Sequence, residues 1–202
     1  MTTKHQPRAV RRIQIMEAAS KLIVRLGSEH LTVKSIAREC DISEAAVYRH
    51  FKSKKDILFW LAGYIGDSLV NDIEEISSKQ SISIRALDVV LDSHIAAIEH
   101  RRGTSFQVIA EIISFGDREL NDRAFEAVEK YVFSMQQLVG DTLKDGLLQE
   151  NLNPRAVAVL ISCLIQGLVN TWVLSNYTLD LKRGFSDMWK MVSKGILKMA
   201  GT

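Results

Sequence analysis

Proline occurs twice in 202 residues and cysteine twice, and each scarcity excludes something. Pro7 and Pro154 both fall at plausible element edges, so no proline forces a break in the stretch between them. Cys40 and Cys163 are too few for a disulfide framework or a cysteine-rich zinc set. That favours a reduced, cytoplasmic setting and reads Cys40 as a small packed thiol rather than a redox switch. The 11 glycines are scattered, with no phosphate-cradling loop and no Gly-x-Ser-x-Gly elbow. His94 with Glu99 or His100 lacks the spacing that aligns metal ligands on one helical face. An enzyme, a metal site and a bound cofactor are therefore not expected. Strand signals are nearly absent, and Met1-Thr2-Thr3-Lys4-His5 leads into charge rather than into an apolar export signal.

Helical periodicity fills the space those absences leave, and with 47% hydrophobic residues the chain can bury a core. Val10 to Leu26 carries Ile15, Ala19, Leu22 and Leu26 on one side, with Gly27 as a stop. A longer helix from Lys54 places Ile57, Leu61, Ile65, Leu69, Ile73 and Ile76 three or four residues apart. After the polar break Ser77 to Ser81, helices are expected over Ile82 to Glu99, over Ser105 to Phe115 with Thr104 as cap, and over Arg118 to Leu148. Leu181 to Met199 completes the set.

Ala156 to Leu179 contains no charged residue and is long enough to cross a bilayer. Ser162, Gln166, Asn170, Thr171, Ser175 and Asn176 interrupt its apolar character, and Asn153-Pro154 opens it as a soluble helix is opened, with Asn as N-cap and Pro in the first turn. The expectation is a helix buried partly in its own core and partly against a second copy of the chain. Leu160, Leu164, Gly167 and Leu168 are its candidate interface positions, joined by Trp189, Val192 and Ile196 from the last helix; Gly167 would permit close approach.

Leu31 to Asp56 carries the most specific pattern. Thr32 can cap one short helix and Ser43 a second. Val33, Ile36 and Ala37 share a face that Ile42, Ala46 and Val47 can meet, across a break at Cys40-Asp41-Ile42. The second helix, Glu44 to about Phe51, leaves Glu44, Ala45, Tyr48 and Arg49 on its outer side, where a recognition helix meets the major groove. Ser53 to Asp56 resembles a capping box, and Lys54 and Lys55 at that helix start form a candidate phosphate clamp, with Tyr48 and His50 as further phosphate donors. Charge is concentrated accordingly: residues 1–60 hold 12 Lys and Arg against 6 Asp and Glu, and residues 61–202 hold 14 against 18. Lys4, Arg8, Arg11 and Arg12 form either an arm that orders on DNA or a frayed, solvated start.

The segment from Ile36 to Leu58, above all Tyr48-Arg49-His50-Phe51 followed by Lys54 and Leu58, resembles the DNA-binding region of the tetracycline-repressor (TetR) family of bacterial transcriptional regulators. The likeness is close over about the first quarter of the chain. It implies an all-α fold: a three-helix helix-turn-helix DNA-binding domain at 1–53, and a larger helical ligand-binding and dimerisation domain at 54–202. It implies DNA contact by Lys34, base reading by Glu44, Ala45, Ala46 and Arg49, and phosphate contacts from Tyr48, His50 and Lys54. Thr32, Ser43 and Lys55 complete the expected DNA-binding set. One departure is Asp41, at a turn position where the family usually has glycine; Asp tolerates the left-handed backbone that such a turn needs.

The same resemblance implies a small-molecule pocket among the C-terminal helices and a dimer built on the last two. His94, Phe106, Ile109, Ile113, Phe133, Gln137, Gln166, Asn170 and Trp172 are the pocket candidates, mixing apolar and polar groups as ligand sites do. The expected partners are a palindromic double-stranded operator, a second copy of the chain and a small, hydrophobic effector that releases a repressor from DNA. The alternative is a DNA-binding protein of this shape that recruits a protein partner and has no inducer.

Overall fold

The computed structural model describes residues 7–78, 84–144, 149 and 151–196. Among them are nine α-helices and no strand: α1 (Arg8–Leu26), α2 (Val33–Glu39), α3 (Glu44–Tyr48), α4 (Lys54–Ser78), α5 (Ile84–His100), α6 (Thr104–Ser114), α7 (Arg118–Lys144), α8 (Pro154–Leu174) and α9 (Leu181–Ile196). The fold is all-α, as expected. The expected ends of two helices, 145–148 for α7 and 197–199 for α9, lie outside the described residues, as do Lys4 and residues 79–81 of the polar break.

Local chemistry sets most helix ends. Gly27 at φ 81° turns the chain out of α1 while its N–H still bonds the Ile23 carbonyl. The Asn153 side chain accepts from the N–H groups of Arg155 and Ala156, with Pro154 in the first turn of α8. Thr104 differs from expectation. It is the first residue of α6 and its hydroxyl donates back to the Arg101 carbonyl at 2.7 Å instead of capping. The turn there is made by Arg102 and Gly103, both at positive φ. A Cβ on Gly103 would stand 2.8 Å from Val169 Cγ1, so glycine is required for space as well as for backbone conformation.

The chain forms two compact units. The first comprises Met1–Ile65 and Gln107–Ala127, and the second Gly66–Phe106 and Val128–Thr202. The expected boundary between residues 53 and 54 thus falls inside the first unit. The cause is visible in the opening turns of α4: Ile57, Leu58, Leu61 and Ala62 are buried, Lys54 bonds Ser28, and Lys55 pairs with Asp117 and Glu119 at the start of α7. The first core is built on Ile15, Ala19, Leu22, Ile36, Val47 and Phe51, with Val108, Ile112 and Leu120 from the inserted segment. The second is built on Leu87, Leu91, Ile95, Met135, Val139, Ile161, Ile165 and Phe185. Each Val, Leu, Ile, Phe or Met side chain among them contributes roughly 1.5–3 kcal/mol by leaving water.

Within the second unit, α8 buries one stripe, Val157, Ala158, Ile161, Ser162, Ile165, Val169 and Trp172. It is the one described helix long and apolar enough to cross a membrane by length and composition. The buried stripe and polar interruptions fit a core helix.

Candidate nucleic-acid interface

Two short helices and the turn between them form the site. Thr32 Oγ1 accepts from the Ser35 N–H at 3.0 Å, and Ser35 Oγ accepts from the Thr32 N–H at 3.0 Å, a reciprocal cap on α2. The turn is closed by the Ile42 N–H bonding the Ala37 carbonyl, with Asp41 at φ 53°. Asp therefore takes the left-handed conformation that glycine would take at lower cost. Ser43 Oγ accepts from the Ala46 N–H at 3.1 Å and starts α3. Ile36, Ala37 and Val47 are buried where the helices meet.

What faces outward follows from that burial. Lys34 on α2 and Glu44, Ala45, Tyr48 and Arg49 around α3 are exposed, Ala46 and His50 are half-buried, and the Tyr48 ring is 53% exposed. A phenol so exposed beside a buried Val47 is free to donate to a phosphate oxygen. α3 ends at Tyr48, shorter than the expected Glu44–Phe51, because Phe51 is drawn into the core and the His50 and Phe51 N–H groups both turn back to the Val47 carbonyl.

The electrostatics around His50 were not anticipated. Its pKa is held below the ordinary histidine value first by desolvation and then by Arg8, Arg11, Arg49 and Arg12, and its Nδ1 has no hydrogen-bond partner. Arg8, Arg11 and Arg12 are not part of an arm: they lie in the first turns of α1. Arg12 stacks over the Phe51 ring at 4.6 Å and the Trp60 ring at 4.2 Å. Helical spacing of those arginines was the signal in the sequence; only the fold shows that they converge on the end of α3.

The expected lysine clamp is differently engaged. Lys54 Nζ donates to the Ser28 carbonyl at 3.0 Å and lies 4.8 Å from the Phe115 ring centroid; burial lowers its pKa. Lys55 bridges Asp117 at 2.9 Å and Glu119 at 2.8 Å, and these partners raise its pKa and depress that of Asp117. Ser53 Oγ accepts from the Asp56 N–H as expected, whereas the Asp56 carboxylate reaches one residue further back, to the Lys52 N–H.

The pocket candidates occupy several places among the described residues. Ile109 and Ile113 belong to the first unit, the former buried and the latter exposed. His94 is buried in the second unit, its Nε2 3.0 Å from the Tyr131 hydroxyl, and Phe106 meets Tyr131 edge-on at 6.2 Å. Burial lowers the His94 pKa to about 4 and raises that of Tyr131. Phe133 and Gln137 line a different feature, an open groove of about 410 Å³. Trp172 is buried against Tyr177 at 4.8 Å, and Gln166 and Asn170 are half-buried on α8. Among the described residues no three His, Cys, Asp or Glu side chains are grouped to hold a metal ion.

The interface candidates also divide. Leu160 and Gly167 are exposed and Leu164, Leu168 and Val192 half-buried, but Trp189 and Ile196 are buried within their own chain. Trp189 stacks on Phe185 and its Nε1 donates to Asp88 Oδ1 at 2.6 Å. The exposed apolar surface of α8 and α9 also includes Val159, Leu174 (82% exposed) and Met191 (69% exposed); beyond Arg155, α8 has no charge to mark its wet side.

Residues 15–60 match the model of the bacterial regulatory proteins of the tetR family, and residues 65–195 match that of the C-terminal region of YsiA-like proteins. The chain is 25% identical over 191 residues to the nucleoid occlusion factor SlmA of Vibrio cholerae, covering 92% of this chain and 95% of that one. The regulator FadR of Bacillus subtilis, solved with stearoyl-CoA, has the same fold: TM-score 0.77, 21% identity, 91% of this chain and 98% of that one. SmeT, the repressor of the Stenotrophomonas maltophilia multidrug efflux pump SmeDEF, is similar at TM-score 0.72 and 17% identity, over 94% of this chain and 91% of that one. With a helix-turn-helix at its start and a helical region after it, the chain belongs to the tetR family of bacterial regulatory proteins, DNA-binding regulators of transcription.

Proposed function

We propose that the chain is a cytoplasmic repressor, not an enzyme, that binds a palindromic operator as a homodimer and leaves it when a small molecule binds the second unit. The observation that carries the DNA half of this reading is the outward face of α2 and α3. Glu44, Ala45, Ala46 and Arg49 are its base-reading candidates, Lys34 a further DNA contact, and Tyr48 and His50 its phosphate contacts, backed by the arginines of α1. Glu44 suits a cytosine amino group, whose N–H donates to a carboxylate in the major groove. Lys54 and Lys55 join the phosphate contacts by exchanging Ser28, Asp117 and Glu119 for DNA.

Two protomers would present two α3 helices to half-sites about 34–36 Å apart. The uncharged exposed face of α8, with Leu160, Cys163, Gly167 and Leu174, supports pairing through this helix and α9. An effector acts only if it binds the DNA-released form more tightly than the DNA-bound form. Support for an effector is the fold shared with FadR in its stearoyl-CoA complex. The test is operator titration with and without candidate compounds: a compound that binds tightly yet leaves operator affinity unchanged contradicts coupling.

A second reading is favoured by the likeness to SlmA, whose name is that of a nucleoid occlusion factor. Here DNA binding is retained, a protein partner replaces the small molecule and no inducer exists. Thermal-shift titration separates the two, since a saturable rise in melting temperature with a small molecule belongs to the first reading alone.

A further inference from the structure

Two facing stripes of the second unit enclose the groove of about 410 Å³. α4 contributes Asp67, Val70, Ile73 and Glu74, and α7 answers with Lys130, Phe133, Leu138 and Asp141, each set lying on one helical face. The size is that of a small-molecule site. Its apolar part is Val70, Ile73, Leu138 and the Phe133 ring, which is 56% exposed.

The charges around that apolar part are unequal. Three carboxylates line the groove against one ammonium. Asp67 is neutralised by Lys130 at 2.6 Å and Asp141 by Lys144 at 2.9 Å. Glu74 is exposed and takes part in no ion pair or hydrogen bond among the described residues. One uncompensated negative charge therefore stands beside an exposed aromatic ring and an apolar trough. An anion entering would meet carboxylates, with no unpaired cation among the described residues that line the groove. A cation would meet Glu74 by Coulomb attraction and Phe133 by cation–π attraction, while its body displaced water from the half-buried Val70 and Leu138.

We propose that this groove between α4 and α7 is a binding site for monovalent hydrophobic cations, with Glu74 as counter-ion and Phe133 as the aromatic wall. The proposal rests on the small-molecule reading above and names the ligand class and the place. It narrows that reading away from fatty acids, whose charge is of the wrong sign for this groove.

Tetraphenylphosphonium and tetraphenylborate test it, since they share size and shape and differ in charge. Calorimetric titration of the full chain should show the phosphonium binding at least tenfold more tightly than the borate. Glu74→Gln should weaken the phosphonium at least threefold, Phe133→Ala should weaken it as well, and added salt should weaken wild type more than Glu74→Gln. Both side chains are exposed, so neither change threatens the core; circular dichroism checks this. Equal binding of the two ions, or affinity unmoved by either substitution, overturns the proposal. So does binding that disappears as the protein self-associates, which would make the groove an interface between copies, or capture of a Lys- and Leu-rich peptide with no affinity for the phosphonium. Operator release is read separately. Phosphonium binding without release leaves the site standing and contradicts its coupling to DNA, whereas release by another compound that ignores Glu74→Gln and Phe133→Ala preserves the regulator and removes this site.

Discussion

Arg49 and Tyr48 are neighbours to which the proposed function gives different work on DNA. A guanidinium at a base edge discriminates between bases by about 1–3 kcal/mol, whereas a phenol on phosphate adds affinity without discrimination. Arg49→Ala should therefore change the motif recovered by selection from random DNA, and Tyr48→Phe should weaken binding to all sequences alike. An unchanged motif in Arg49→Ala would remove it from the base readers. His94 makes a prediction of a different kind. Its pKa falls from 6.5 to about 4 on folding, so between those values the unfolded chain binds a proton that the folded chain refuses. The stability involved is fully present above pH 6.5 and is lost as pH falls towards 4, by up to roughly 3 kcal/mol. Urea unfolding from pH 7 to pH 4 should show a shallower loss for His94→Gln than for wild type; parallel curves would contradict the neutral, buried histidine.

Helix ends and turns supply the predictions for elements. Thr32→Ala removes one side of the reciprocal cap on α2 and should cost about 1 kcal/mol, read in chemical denaturation. Gly103→Ala puts a side chain into a left-handed backbone, at about 1–2 kcal/mol, and drives its Cβ against Val169; a loss below 0.5 kcal/mol, taken as about the noise of surface substitutions, would show that this turn relaxes. The contact of Lys55 with Asp117 and Glu119 at the start of α7 bears on DNA. Neutralising both acids, Asp117→Asn with Glu119→Gln, frees Lys55 and should steepen the salt dependence of DNA binding by about one phosphate contact. An unchanged slope would mean that Lys55 does not reach DNA.

Elements of this kind were legible to different degrees. Thr32, Ser43, Asn153 and Gly27 act through their immediate neighbours, so their spacing alone located the starts of α2, α3 and α8 and the end of α1. Thr104 misled because a threonine before an apolar run can cap forwards or donate backwards, and the choice depends on the turn at Gly103. The engagement of Lys55 was hidden for a related reason: the acids that pair with it lie more than sixty positions away in the chain, and no local pattern announces them.

At the scale of the whole molecule, the all-helical class followed from periodicity and from the lack of proline, because both act on every turn. The division into units did not. α4 is one helix whose first turns pack with one core and whose later turns belong to the other, so no break in composition marks the boundary. The wet side of α8 was hidden for a related reason: after Arg155 the helix carries no charge, and a sequence of that kind does not reveal which side meets its own core. Trp189 and Ile196 turned inward; Leu174 and Met191 turned out.

The central claim is that the α2–α3 face reads an operator as a symmetric pair. Selection of genomic fragments by the purified chain, followed by titration of the best fragment with measured stoichiometry, tests it most directly. One palindromic motif is expected, with two protomers per site, half-sites about one DNA turn apart and an affinity that falls steeply with salt. Recovery of fragments with no shared motif, or saturation by a single protomer on a half-site, would contradict it.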